Sequence, residues 1–240
     1  MRYIYLSPHL DDATLSAGGW IYEQTQKNIP VEIWTIMCGY PPDKELSPYA
    51  QYMHNQWDME TAEEVVRGRR IEDVNSAKIL GATTQHFDFL DCIYRRDKDG
   101  NWLYDNIFTD PLPQESDLPQ QIADEILKRL TPDCQLVAQF GIGKHVDHVT
   151  VRRAAELLQK PLLYVADIPY LFNSPEHLSE HTVGMKEKVE VISEAGIRSW
   201  TEAVLAYESQ ISMLFKDPEM VKNQVKEYCQ TNKGVRFWVK

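Results

Sequence analysis

Apolar and polar positions change period several times along the chain, and each change marks an element. The runs RYIYLS at 2–7 and VEIWTIM at 31–37 are short and β-rich, and they read as strands. The segment between them has the length of a crossover helix, so the three form a βαβ unit. From about 60 to 80, TAEEVVRGRRIEDVNSAKIL sets Val65, Ile71, Val74, Ala77 and Leu80 at helical spacing, and Gly81 supplies a C-terminal cap. Further strands are expected at 84–90, at CQLVAQF (134–140) and at PLLYVADI (161–168), with helices at 118–130 and over HVDHVTVRRAAELLQ. Helices near 185–195, 198–214 and 218–231 and a last strand at VRFWV complete the pattern. Residues 38–58 and 91–116 are rich in Pro, Gly, Asp and aromatics and read as long irregular loops.

Strands that alternate with helices predict an α/β protein whose mostly parallel sheet is covered on both faces. The strand at 2–6 is expected to be central. No internal repeat, low-complexity tract or composition break divides residues 1–240, which predicts one domain. The 43% hydrophobic and 25% charged fractions of the 240 residues fit an ordinary soluble globular chain. A net charge of -11 with no long basic cluster sets aside nucleic acid and anionic membrane surfaces as partners. No apolar stretch reaches the length of a membrane span. The chain opens as a strand, without a signal-peptide pattern. Cys38, Cys92, Cys134 and Cys229 are widely spaced and form no CxxC pair, and three lie in or beside apolar runs. Buried reduced thiols in a reducing, cytoplasmic setting are the expectation.

Two stretches carry chemistry. PHLDD (8–12) and GIGKHVDH (141–148) each follow a strand and open a helix, which is where open α/β sheets bind ligands. Adjacent aspartates repel, and helix capping accounts for one of them and part of the second. It does not account for His9. His9 and Asp12 are three apart, as are His145 and His148, so each pair shares a helix face or turn. Imidazole and carboxylate donors suit a zinc-like divalent metal. A His/Asp/His set with a fourth position open to water is the catalytic arrangement, and the spare carboxylate of Asp11 is then placed to take a proton. A single HxxH on a helix is a weak signal, more often surface or core. The pairing with PHxDD at a second strand-to-helix junction is what strengthens it.

His54, His86, His177 and His181 lack such a setting and read as loop or surface residues. Gly18 and Gly19 do not form the G-x-G-x-x-G of a dinucleotide site, and two aspartates at that helix start would repel a pyrophosphate; close helix packing is the better reading. Trp57, Trp102, Tyr104, Tyr40 and Tyr49 are expected mainly to pack the two loops, although aromatic faces beside a pocket also suit sugar rings.

The sequence also resembles a known family. SPHLDDATLSAGG resembles the PHPDDE-type first motif, and KHVDHVTVRRAA the HPDH second motif, of the PIG-L/LmbE-like N-acetylglucosaminyl de-N-acetylases. RRIEDVNSAKILGA resembles the Arg-x-x-Glu helix that ends in Leu-Gly, and LDCIYRRDKDGNWLYDNIF, ADIPY and AYESQ resemble one LmbE-like branch. The resemblance covers nearly the whole chain. It implies a single-domain Rossmann-like (LmbE-like) three-layer α/β/α sandwich over 1–240. It also implies a hydrolase that uses Zn2+, or another divalent transition metal, to remove an N-acyl group, typically acetyl, from a small N-acetylated sugar or glycoconjugate. By motif position His9, Asp12 and His148 would be the metal ligands and Asp11 the general base. His145 would stabilise the oxyanion as a cation or general acid, oriented by Asp147, and Arg69 would contact the substrate.

Leu10 and Ala13 depart from the family's usual proline and glutamate, and Ala13 is expected to remove a charge from the pocket entrance. Lys144 would either meet an anionic substrate group or point to water. Hydrolysis of another bond, such as a phosphoester, and a non-catalytic metal- or sugar-binding module are the competing readings. The sequence does not decide between a monomer and a homo-oligomer.

Overall fold

The structure, a computed structural model, describes residues 1–240. The N-terminal half runs β1 (Arg2–Ser7), α1 (Asp12–Gln26), β2 (Val31–Thr35), α2 (Pro48–Gln56), α3 (Ala62–Leu80), β3 (Thr83–His86) and α4 (Leu118–Leu127). The rest runs β4 (Cys134–Gln139), α5 (Val146–Leu157), β5 (Leu162–Val165), α6 (Tyr170–Asn173), α7 (His177–Thr182), β6 (Lys186–Glu190), α8 (Glu194–Leu205), α9 (Glu208–Leu214), α10 (Pro218–Asn232) and β7 (Val235–Val239). One seven-stranded sheet joins them in the order β3-β2-β1-β4-β5-β7-β6. The first five strands in that order are mutually parallel, and β7 runs antiparallel to both β5 and β6. β1 lies inside the sheet, paired with β2 and β4, as a buried apolar strand should.

Successive side chains of a strand point to opposite faces, and β1 shows how the layers form. Tyr5 joins a core with α1, α3, α8 and α10, whereas Ile4 and Leu6 join the core under α4 and α5. Helices therefore cover both faces, giving three layers. No helix is long and apolar enough to cross a membrane.

The glycine pair in α1 serves packing. A Cβ on Gly18 would lie 2.4 Å from Trp200 Cδ1, and one on Gly19 would lie 2.7 Å from Trp200 Cε3. The Trp200 indole of α8 rests on that bare patch and donates to Thr14 O at 2.6 Å. On α3 the capping box of Thr61 and Glu64 starts the helix, and Gly81 ends it at φ 71°.

Three expected elements differ. Residues 38–58 contain α2, started by Ser47, whose side chain accepts from Ala50 N, with Pro48 in the first turn. The expected helix near 185–195 is instead the edge strand β6 followed by the start of α8. KEKVE is almost wholly exposed there, so no buried face imposed a readable period. The helix expected over 198–214 divides into α8 and α9, with Tyr207 at the junction. Cys38, Cys92 and Cys229 are buried free thiols, and Cys134 is free and partly exposed.

Gly18→Val should lower stability by about 1–3 kcal/mol in urea unfolding, because Trp200 cannot yield without disturbing both helices. Gly68→Ala, which in mid-α3 meets only the flexible end of Met59, should instead raise it by about 0.5–1 kcal/mol.

Candidate active site

The carboxyl ends of β1, β4 and β5 deliver three short loops to one place. The β1 loop is wound tightly before α1 begins. Ser7 Oγ donates to His9 O at 2.8 Å and accepts from Ala13 N at 3.1 Å, while His9 N donates to Asp12 Oδ2 at 2.8 Å. Asp11 occupies the cap position with φ 156°, a conformation L-residues rarely adopt, and its side chain makes no capping bond. Capping is thus not the role of Asp11; such strain concentrates at functional sites.

His9, His145 and His148 converge, with ring centroids 4.7–5.3 Å apart. Asp12 Oδ2 lies 3.3 Å from His9 Nδ1 and 3.2 Å from His148 Nε2. The far nitrogen of each of these rings is held by another buried carboxylate. His9 Nε2 donates to Asp147 Oδ2 at 3.0 Å, and His148 Nδ1 to Asp167 Oδ1 at 2.8 Å. Those bonds fix the orientation of both rings and turn the other nitrogen of each toward Asp12.

The donor set fits a divalent cation. His148 Nε2 is buried with no well-aligned hydrogen-bond partner, although Asp12 Oδ2 lies 3.2 Å away. The local field also favours positive charge. Burial alone would lower both basicities, yet Asp91, Asp12 and Asp147 raise His9 well above the usual histidine range, and Asp12 with Asp167 raises His148 to about 9. Burial would raise Asp12, but His148 and His9 hold it well below the usual carboxylate range.

Asp11 behaves differently. Burial pushes its carboxyl up to about 7, although Arg69 pulls the other way. Arg69 Nη2 donates to Asp11 Oδ2 and to Leu10 O, both at 3.3 Å, and its guanidinium carbon lies 5.0 Å from the centroid of the Trp57 ring. Arg69 is 7% exposed and lines the pocket.

His145 opens α5, and its Nδ1 accepts the Asp147 backbone N–H at 3.2 Å. A ring that accepts at Nδ1 carries its proton on Nε2 and is neutral. Burial, with His9 and His148 adding like charge, lowers its basicity well below normal. The carboxylate of Asp147 is turned away from His145, toward His9 and Arg95. Asp147 therefore meets His145 through its amide and not its side chain. A ring whose basicity is lowered and whose Nε2 carries the proton fits the donor alternative better than the cation.

Other expectations change too. Ala13 is 1% exposed in the core beside Leu15 and does not line the pocket entrance. Lys144 stands at φ 60° in the turn before His145. His54 is buried, with Nε2 2.6 Å from Tyr94 Oη, and is not a surface histidine. No cysteine lies near the motifs in sequence, yet the fold brings Cys92 beside His145 and Asp147. Sequence reading gave no role to Asp91, Arg95 and Asp167, although all three lie in stretches that resemble the family, LDCIYRR and ADIPY. Around the polar floor the pocket walls are apolar, formed by Met53, Trp57, Ile93, Ile107, Tyr170 and Leu214.

A family model described as PIG-L: GlcNAc-PI de-N-acetylase matches residues 4–158. A 2'-N-acetylparomamine deacetylase of Niallia circulans is 23% identical, with 99% of this chain and 90% of that protein covered. The zinc-inhibited form of teicoplanin deacetylase Orf2 superposes with a TM-score of 0.86 at 27% identity, covering 100% of this chain and 97% of that one. The A40926 pseudoaglycone deacetylase Dbv21 gives 0.75 at 25% identity, covering 99% and 96%.

Asp167 also accepts from the amides of Gly141 and Ile142, at 3.1 and 2.9 Å. Asp167→Ala would leave three buried donors unpaired and should cost at least about 2 kcal/mol in urea unfolding. An unchanged midpoint would show that those donors find other partners.

Proposed function

The chain belongs to the PIG-L family, and on that premise we propose that it is a metal-dependent N-deacetylase. Its reaction is hydrolysis of the N-acetyl amide of an amino sugar or amino-sugar glycoconjugate, releasing acetate and a free amine. The observation that carries this reading is the division of labour between neighbouring aspartates. Asp12 faces two histidine nitrogens, and Asp11 lines the pocket beside Arg69. The names of the three relatives reported above, each a deacetylase, support it.

His9, Asp12 and His148 would hold the metal, zinc in this reading, although the same donors accept iron, cobalt or nickel. When bound, it supplies Lewis acidity that acidifies water and polarises an amide carbonyl. Asp11 takes the proton from the attacking water. A carboxyl held near 7 accepts a proton and gives it up again at comparable cost, so the same group suits both halves of the reaction. As the carbonyl carbon becomes tetrahedral, its oxygen gains charge, and neutral His145 donates Nε2–H to it. The C–N bond then breaks, and Asp11 returns its proton to the departing nitrogen. Arg69 holds Asp11 in place through its 3.3 Å contact and offers its remaining N–H groups to substrate. The apolar walls exclude bulk water and leave room for the rest of the glycoside.

Residues 1–240 form one LmbE-like deacetylase domain in this reading, since β7, near the C-terminus, pairs into the sheet begun by β1. Free buried thiols support a reducing, cytoplasmic setting.

Acetate release from N-acetylglucosamine glycosides by zinc-loaded protein tests the proposal, and hydrolysis confined to phosphoesters, or none at all, would overturn it. Asp11→Asn should retain metal and lose about 10²–10⁴-fold in rate. Asp12→Asn should lose metal, because an amide is a poorer ligand than a carboxylate. Equal metal loss in both variants would mean that the two aspartates do not divide the roles.

A further inference from the structure

Arg95 lies in the 91–116 loop, directly after a short 3-10 turn at Cys92–Tyr94; it falls within the LDCIYRRDKDGNWLYDNIF stretch, and the sequence reading gave it no role. It is buried, and its guanidinium joins two carboxylates. Nη1 is 2.6 Å from Asp147 Oδ1, and Nε is 2.6 Å from Glu115 Oε1, with Nη2 3.1 Å from Oε2. Glu115 Oε2 also accepts from Tyr104 Oη at 2.6 Å, and Tyr104 Oη accepts the Leu112 N–H at 3.1 Å. Every link of this chain belongs to the loop except Asp147.

Asp147 is wholly buried, and its remaining oxygen is shared by two donors, the Cys92 N–H at 2.9 Å and His9 Nε2 at 3.0 Å. The loop therefore supplies a charge and an amide to this carboxylate, and His9 takes what is left. Glu115 faces the two-nitrogen edge of the guanidinium and so fixes its plane, which aims Nη1 at Asp147 Oδ1 while the Cys92 N–H holds Oδ2; a lysine ammonium has no such edge. The orientation of the His9 ring is thus set from the loop.

We propose that Arg95 is a positioning residue through which the 91–116 loop sets the His9 ring and hence the metal affinity of the site. The proposal rests on the reading of His9 as a ligand. It makes the loop part of the metal centre as well as a wall for substrate: a change in the loop that moves Arg95 moves the ligand. Asp147, wholly buried and not part of the pocket lining, transmits the effect to His9. Groups that hold metal-binding histidines from behind typically contribute 10–100-fold to affinity.

The test is cobalt binding to the full-length apoprotein, followed by the visible absorption of the bound ion and by competition with a chelator. Arg95→Lys keeps the charge and loses the fork, and Arg95→Met loses both. Cobalt affinity should fall about 10–100-fold in Arg95→Met and by less in Arg95→Lys, with altered band shapes in each. Glu115→Gln should shift affinity in the same direction by a smaller factor, and it serves if Arg95→Met fails to fold. Arg96→Met is the control, because Arg96 pairs with Glu45 and stacks on Trp102, away from Asp147. It should bind cobalt as the parent does. Folded Arg95 and Glu115 variants that bind cobalt with parental affinity and spectrum would overturn the proposal, even if their melting temperatures fall. A parent that binds no cobalt would refute the ligand assignment itself.

Discussion

Five carboxylates, those of Asp11, Asp12, Asp91, Asp147 and Asp167, meet at the carboxyl ends of three neighbouring strands with little access to water. Two guanidiniums reach into the group, and one of them, Arg95, also carries Glu115. Negative charge packed this densely out of water is costly unless cations or hydrogen bonds offset it. Much of the local architecture follows from that constraint. It explains why His9 and His148 are pulled toward their charged forms and why amides of three loops point inward. It also explains why Asp11, which faces the least favourable balance, is pushed toward its neutral form. A divalent cation held between the histidines, as proposed above, would relieve the same excess.

The surrounding scaffold keeps that group in register. Helix α3 does so with its polar positions as much as with its apolar ones. Arg69 reaches Asp11, Glu72 accepts from both the amide and the hydroxyl of Ser209, and buried Asp73 accepts from Tyr207 Oη at 2.8 Å. Tyr207 in turn lies 3.3 Å from Thr14 Oγ1, two residues past Asp12. The C-terminal helices are therefore tied to the helix that begins at the site. The bare surface at Gly18 and Gly19 lets Trp200 close the remaining gap.

Much of this was legible in the chain. β1, β4 and the two strand-to-helix junctions stood out because buried parallel strands are continuous apolar runs, and because histidine and paired aspartate are conspicuous directly after them. α3 was readable from its period and its terminal glycine. β6 was not, since an exposed edge strand of alternating Lys and Glu carries no hydrophobic period, and α2 was hidden in a segment whose Pro and Tyr content suggested a loop. Asp91, Arg95 and Asp167 matter through distant partners. No local pattern in LDCIYRR announces that one arginine will meet a carboxylate 52 positions onward. The orientation of Asp147 toward His9, and the neutral ring of His145, are likewise products of packing that spacing alone does not encode.

The central claim is that His9, Asp12 and His148 form the metal centre of this fold. Crystals of the protein grown with one equivalent of zinc, and an anomalous difference map collected at the zinc edge, test it most directly. The account predicts a single peak about 2 Å from His9 Nδ1, an Asp12 carboxylate oxygen and His148 Nε2. A peak held instead by Cys92 and His145, or no peak among these three side chains, would contradict it.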